Sequence, residues 1–166
     1  MIIRKATQED VPEMLDIYNE AIRNLTATFD LTEQSLDERK AWFNRYCKHY
    51  PLLVAELDGN VIGYCGLFPY NPKAAYEKTV EISIYLAAKS RGLGVGKLLM
   101  TEILSEAEKH GFHTIIAGIT DGNDSSVRLH EKFGFKLAGR LKEVGFKFGQ
   151  WHDVLYYQLM LPKKQK

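Results

Sequence analysis

Residues 79–97 constrain the fold of this 166-residue chain more than any other stretch. From Thr79 to Leu86 the side chains alternate, with Val80, Ile82, Ile84 and Leu86 to one side and Glu81, Ser83 and Tyr85 to the other. That is the period of a strand with one buried face. Further on, Leu98, Leu99, Ile103, Leu104 and Ala107 recur at helical spacing until Gly111 stops the helix. The segment between the two is Arg91-Gly92-Leu93-Gly94-Val95-Gly96-Lys97. Its glycines let a ligand approach the backbone closely, and its N–H groups open a helix whose positive dipole end favours phosphate. The plainer alternative is a glycine-rich turn before a helix. A Walker A loop would need Gly in place of Arg91 and Ser or Thr in place of Leu98; a dinucleotide fingerprint would need a third Gly in place of Lys97. Neither requirement is met.

The rest of the chain reads as alternating strands and helices. Ile2-Ile3-Arg4 is a short strand, and Thr7 caps a helix carrying Val11, Met14, Leu15, Tyr18, Ile22 and Leu25. A second helix runs from about Ser35 to Cys47, with Leu36, Phe43 and Tyr46 on one face and Pro51 beyond it. Leu52 to Leu57 and Val61 to Phe68 form a hairpin about Asp58-Gly59-Asn60, and the segment from Pro69 to Lys78 reads as irregular. Thr114 to Ile119 is a strand, Asn123 or Asp124 caps a helix ending near Phe133, and Gly134 follows as its C-terminal cap. Phe135 to Leu141 and Val154 to Leu161 close the chain as strands, and the tail after Pro162 is expected to fray. The order β-α-α-β-β-β-α-β-α-β-β predicts a single α+β domain over residues 1–166 with a mixed sheet.

With 22 basic and 21 acidic residues the net charge is +1, which provides no global field for nucleic acid or an acidic membrane surface. The opening residues lack the apolar core of a signal peptide, and no apolar run approaches the ~18 residues of a membrane span. A cytoplasmic protein acting on small molecules, with no nucleic-acid or membrane partner, is expected. Cys47 and Cys65 read as reduced thiols. No triad with His152 and Asp153 follows from the sequence, and Gly111 interrupts any metal pairing of His110 with His113, so no metal site is expected.

The pattern Arg91-x-x-Gly94-x-Gly96 resembles the coenzyme A pyrophosphate loop of the GNAT superfamily of N-acetyltransferases. The run from Asn123 through Ser126, Leu129, His130 and Lys132 to Phe135 is similar to a second signature of that family. The resemblance extends from Ile2 to Leu161. It implies a mixed, mostly antiparallel central sheet with helices on both faces and splayed fourth and fifth strands, and acetyl-CoA as co-substrate. By the same resemblance the backbone of Ile84, Tyr85 and Leu86 meets the pantetheine arm, and the stretch Arg91, Gly92, Leu93, Gly94, Val95, Gly96 and Lys97 wraps the pyrophosphate. Asn123 holds the arm, with Ser126 nearby. Arg91 and Lys97 could equally be solvated cations, Asn123 a helix cap, and Ser126 a solvated hydroxyl.

Acetylation needs a neutral amine, so a base must take a proton from the ammonium. Glu81 is the candidate, on the polar side of the strand that leads into the loop, where apolar neighbours raise a carboxylate's pKa. Many members of the family carry a tyrosine where this chain has His130, which leaves the general acid open among His130, Tyr85 and water. Val144-Gly145-Phe146-Lys147-Phe148-Gly149-Gln150-Trp151-His152-Asp153, with Val80 to Tyr85 and Arg128 to Lys132, looks like the phosphinothricin N-acetyltransferase subfamily. That implies direct acetylation of the α-amine of a small amino acid such as phosphinothricin, methionine sulfoximine or methionine sulfone, and a homodimer. Phe29, Lys147 and Trp151, with Arg128 and Tyr70, are candidate pocket residues on chemical type, with core or interface packing as the alternative. The competing functions are acetylation of a polyamine or a protein N-terminus, and a non-catalytic coenzyme A sensor.

Overall fold

Capping side chains and left-handed turn residues set most of the element boundaries in the computed structural model, which describes residues 1–163. The expected fraying of the tail concerns mainly residues 164–166, which lie outside the described residues. Thr7 opens a short 3-10 turn in which its backbone N–H donates to the Asp10 carboxylate at 2.7 Å, and α1 (Val11–Asn24) follows, with proline in its first turn. Ser35 and Glu38 cap each other at the head of α2 (Leu36–Tyr46). The hairpin of β2 (Leu52–Leu57) and β3 (Asn60–Pro69) turns through Asp58 at φ 52° and Gly59 at φ 79°, the sense that suits the twist of the flanking strands. The expected irregular segment after β3 contains one 3-10 turn, Ala74–Tyr76.

The remaining elements are β1 (Ile2–Lys5), β4 (Thr79–Leu86), α3 (Val95–Lys109), β5 (Thr114–Thr120), α4 (Asp124–Lys132), β6 (Lys136–Lys147) and β7 (Gln150–Met160). Among the described residues the strands form one sheet in the order β1-β2-β3-β4-β5-β7-β6, antiparallel throughout except for β4 beside β5. The faces follow the alternation read in β4. Val80 and Ile82 join the core beneath α3, together with Leu99, Met100 and Ile103. Tyr85 packs on the opposite face, where Val11, Met14 and Ile17 of α1 and Phe43 of α2 cover the sheet. Helices therefore lie on both sides.

The parallel pair sets up the site. β4 and β5 pair only at Thr79 with Thr114, Val80 with Ile115 and Glu81 with Ile116, although β4 runs on to Leu86 and β5 to Thr120. Over that open stretch β4 stays paired to β3 through Leu86 and Gly63, and β5 to β7 through Thr120 and Val154. The sheet thus divides into two intact halves at Glu81. Along the opening, one edge of each strand offers backbone N–H and C=O groups with no partner strand.

The last two strands are longer than the hydrophobic pattern predicts. They extend to Lys147 and from Gln150 because Phe148, at φ 54°, and Gly149, at φ 72°, close a tight hairpin without the Asn-Gly or Asp-Gly signal. Glu143 at φ 50° takes up a register shift between Leu141 and Gly145, and its N–H donates to Asp153 at 2.8 Å. The Gly145–Asp153 signature therefore forms the end of a β-hairpin.

Candidate active site

Two cavities meet at Glu81. One, of about 340 Å³, opens between the α1–α2 layer and the sheet and is lined by Tyr18, Arg39, Trp42, Tyr64 and Phe68, among others. The second, of about 140 Å³, is the cleft between the splayed strands, lined by Ile82 to Tyr85, Ala117 to Thr120, Asn123, Ser126 and His130. Glu81, Ser83 and Tyr85, the three polar-side residues of β4, belong to both.

Burial raises the pKa of Glu81 above the ordinary glutamate value. Its Oε1 lies over the opposite strand, 3.8 Å from where a Cβ on Gly118 would stand. Tyr85 donates to the Ala27 carbonyl at 3.3 Å, sits edge-on to Tyr18, and is held in its neutral form by burial.

His130 is buried on α4, and its Nδ1 lies 2.7 Å from the Ser126 carbonyl. That contact requires a proton on Nδ1, so the neutral ring presents a bare Nε2. Burial is the larger influence on this imidazole and holds its pKa below the ordinary histidine value. The ring is therefore an acceptor at neutral pH, with no spare proton for a leaving group. Asn123 does cap α4, accepting from the Ser126 N–H at 3.3 Å, and it also lines the cleft.

At the mouth of α3, Gly92 (φ 78°) and Gly94 (φ 82°) take the left-handed conformation, and a Cβ on either would meet nothing within 4 Å. Leu98 is the helical amide that first finds an acceptor, on the Gly94 carbonyl at 3.3 Å, which leaves the preceding N–H groups of the turn to a ligand. Gly96 lies beneath them, where a Cβ would come 3.2 Å from Leu129. Lys97 is exposed beside this mouth. Arg91 reaches backwards to the Glu20 carboxylate and to the Leu86 carbonyl, 3.2 Å away. The donor set fits a diphosphate at the loop and an amide-bearing arm in the cleft, whose walls are the unpaired edges of Ile82–Leu86 and Ala117–Thr120.

Other candidates gather elsewhere. Lys147 is buried and donates to the carbonyls of Leu25 at 2.7 Å and Thr28 at 2.8 Å, so it ties the hairpin to the segment after α1. Phe29 lies against Gly145, where a Cβ would come within 2.2 Å of the ring, and it leans on His152. This explains the glycine of that signature sterically. Trp151 is 59% exposed and packs against Phe146; Arg128 is exposed on α4, and Tyr70 rests on Tyr76. None of these side chains lines either cavity. Cys65 is fully buried under α3, and burial drives its thiol pKa up, so it has neither the access nor the ionisation of a nucleophile.

No local sequence signal marks the aromatic wall around Arg39. Arg39 and Trp42 stand three residues apart on α2 and so share a face, but that spacing alone does not distinguish a cavity wall from a packed interface.

The whole arrangement has close counterparts. Residues 3–156 match the model of the acetyltransferase (GNAT) domain. The chain is 38% identical over 161 residues to the L-methionine sulfoximine/L-methionine sulfone acetyltransferase of Pseudomonas aeruginosa, covering 96% of this chain and 94% of that protein. It superposes on an N-acetyltransferase from Staphylococcus aureus Mu50 with a TM-score of 0.95 at 42% identity, over 97% of this chain and 98% of that one. A GNAT superfamily phosphinothricin acetyltransferase from Sinorhizobium meliloti, crystallised with acetyl-CoA, superposes with a TM-score of 0.94 at 36% identity, over 96% and 88% of the two chains.

Proposed function

The chain belongs to the GNAT acetyltransferase family, and on that premise we propose that it acetylates the α-amine of a small amino acid of the methionine sulfone, methionine sulfoximine or phosphinothricin type. The observation that carries this reading is the opening of the sheet at Glu81. There, a raised-pKa carboxylate and two adjoining cavities share one short stretch of β4.

Acetyl-CoA supplies an activated acyl group, and the chain's own residues do the rest. The amides from Gly92 to Lys97 hold the diphosphate, and the open edges of β4 and β5 take the arm. Asn123 and Ser126 stand along that cleft. Backbone N–H groups there polarise the acyl carbonyl, a form of stabilisation that ranks among the larger catalytic effects. The incoming ammonium gives up two protons over the reaction. Glu81 accepts the first, before attack; the second balances the thiolate that departs. Tyr85 lines both cavities and is held neutral by burial, so its hydroxyl is assigned to relay that second proton: it donates to the departing sulfur and is reprotonated by the proton the attacking nitrogen sheds. His130 lines the same cleft, with its unprotonated Nε2 available as an acceptor.

The protein works as a cytoplasmic, single-domain homodimer in this reading. Two free thiols support a reducing compartment, and no helix among the described residues is long and apolar enough to cross a membrane. Exposed Leu137, Leu141, Val144, Phe146, Phe148 and Trp151 on the β6–β7 hairpin supply an apolar surface for a second copy.

Thiol release from acetyl-CoA, measured with a panel of amines, tests the assignment. Methionine sulfone, methionine sulfoximine and phosphinothricin are expected to give the highest kcat/KM, well above spermidine or an alanyl peptide. A polyamine or peptide as the best substrate would redirect the assignment within the family. Binding of acetyl-CoA with no amine-dependent release would make the protein a sensor.

A further inference from the structure

Arg39 is a buried cation whose bonding inside the protein is incomplete. The residue is 3% exposed and lines the same cavity as Glu81. Its guanidinium carbon lies over the ring faces of Trp42, 3.6 Å from the centroid, and Tyr18, 4.4 Å from the centroid, with Tyr64 further off at 5.4 Å. One terminal nitrogen donates to the Tyr64 hydroxyl at 2.7 Å and the other makes a long contact with Gln34 Oε1 at 3.4 Å. Nε has no acceptor, and no carboxylate among the described residues comes within ion-pair distance of the group. These two contacts leave more than half of a guanidinium's donors unused. The ring contacts stabilise the cation, but they supply no anion. An unpaired buried charge is expensive, so its counter-charge is expected to arrive with a ligand.

We infer that Arg39 is the receptor for the α-carboxylate of the amino-acid substrate, and hence that this site requires a free carboxylate as well as a free amine. The inference rests on the function proposed above and adds its specificity. The cavity holds carboxylates too: Glu81, and Asp30, which accepts the Tyr18 hydroxyl. A cavity with both signs of charge suits a zwitterion, whose ammonium turns to Glu81 while its carboxylate turns to Arg39. The same guanidinium repels a polyamine, which brings only positive charge. The α-carboxylate is preferred over the side-chain end as the ligand because it lies one carbon from the reacting nitrogen in every amino acid, whereas the sulfone is uncharged.

Acetylation of L-methionine sulfone and of its methyl ester, compared in the wild type and in Arg39→Met, tests this. Esterification also lowers the amine pKa, but does so equally for both proteins, so the quantity to read is the ratio of ratios. The variant is expected to lose at least ~10-fold in kcat/KM on the free acid, chiefly through KM, and to change little on the ester. Arg39→Lys, which keeps the charge but not the fork, should fall between them. Equal losses on acid and ester would assign Arg39 to packing alone and overturn the inference. A wild type that uses the ester as well as the acid, with both compared at equal concentrations of neutral amine, overturns it without any variant, and so covers the case in which Arg39→Met does not fold. Loss of the preference for methionine sulfone over methionine, with the acid-to-ester ratio intact, would move Arg39 to the side-chain end and equally refute the carboxylate role. Absence of acetyl transfer to any amine would instead remove the underlying function.

Discussion

Glu81→Gln is expected to lower kcat for methionine sulfone by roughly 10²- to 10⁴-fold, the usual contribution of a positioned general base, while acetyl-CoA binds with unchanged affinity. The amide keeps the shape of the side chain at the point where the β4–β5 ladder ends, so the cleft stays open. What is lost is the acceptor for the ammonium proton. Because burial raises the pKa of this carboxylate, the wild-type rate should fall as pH drops through a value above the ordinary glutamate range, and the variant should lack that limb. The same burial has a consequence for stability. A carboxyl group whose folded pKa exceeds its unfolded one contributes stability below the unfolded value, and that contribution is lost as pH rises through the folded value. Glu81→Gln should therefore raise Tm at neutral pH and have no such effect at pH low enough to protonate the acid in both states. A variant with normal turnover and an unshifted pH profile would remove Glu81 from the base role.

The second large effect is on the cofactor side. Gly94→Val should raise the Kd for acetyl-CoA by at least ~10-fold, because a β-branched residue resists the left-handed conformation that Gly94 adopts at φ 82°, a penalty of about 1–2 kcal/mol or more. The space around that Cβ is empty of protein atoms, so the loop has room to relax, and relaxation turns its amides away from the diphosphate. Gly59→Val is the matched control. Gly59 has φ 79° and equally open surroundings, but it lies in the β2–β3 turn, away from the loop. Both variants should lose stability, and only Gly94→Val should lose affinity in isothermal titration. Equal affinity in the two would detach the α3 mouth from cofactor binding.

The parts of this molecule legible in the sequence are those fixed by local rules. The alternation at Val80, Ile82, Ile84 and Leu86 identified the buried face of β4, and with it the shared polar side of Glu81, Ser83 and Tyr85. The glycines before α3 and the Asn123 cap of α4 are likewise short-range signals, each satisfied within a few residues. The β6–β7 hairpin escaped full recognition because its turn places Phe148, a bulky residue, at positive φ, where propensity points elsewhere. The aromatic cavity escaped for another reason: Tyr18, Arg39 and Tyr64 come from α1, α2 and β3, and only the folded sheet brings them together. Lys147 shows the converse. Its chemistry suits a substrate pocket, yet its ammonium donates to two carbonyls of the chain, away from the two cavities that meet at Glu81.

The central claim is that the acetyl group passes directly from the thioester to the amine inside the opening between β4 and β5, with no acetylated side chain on the way. The most direct test is the initial-rate pattern with acetyl-CoA and methionine sulfone varied together, combined with a rapid-mixing search for thiol release before the amine is added. Direct transfer predicts intersecting reciprocal plots and no amine-independent burst. Parallel plots with a burst of about one thiol per active site would mean a covalent acetyl-enzyme, and would contradict the account.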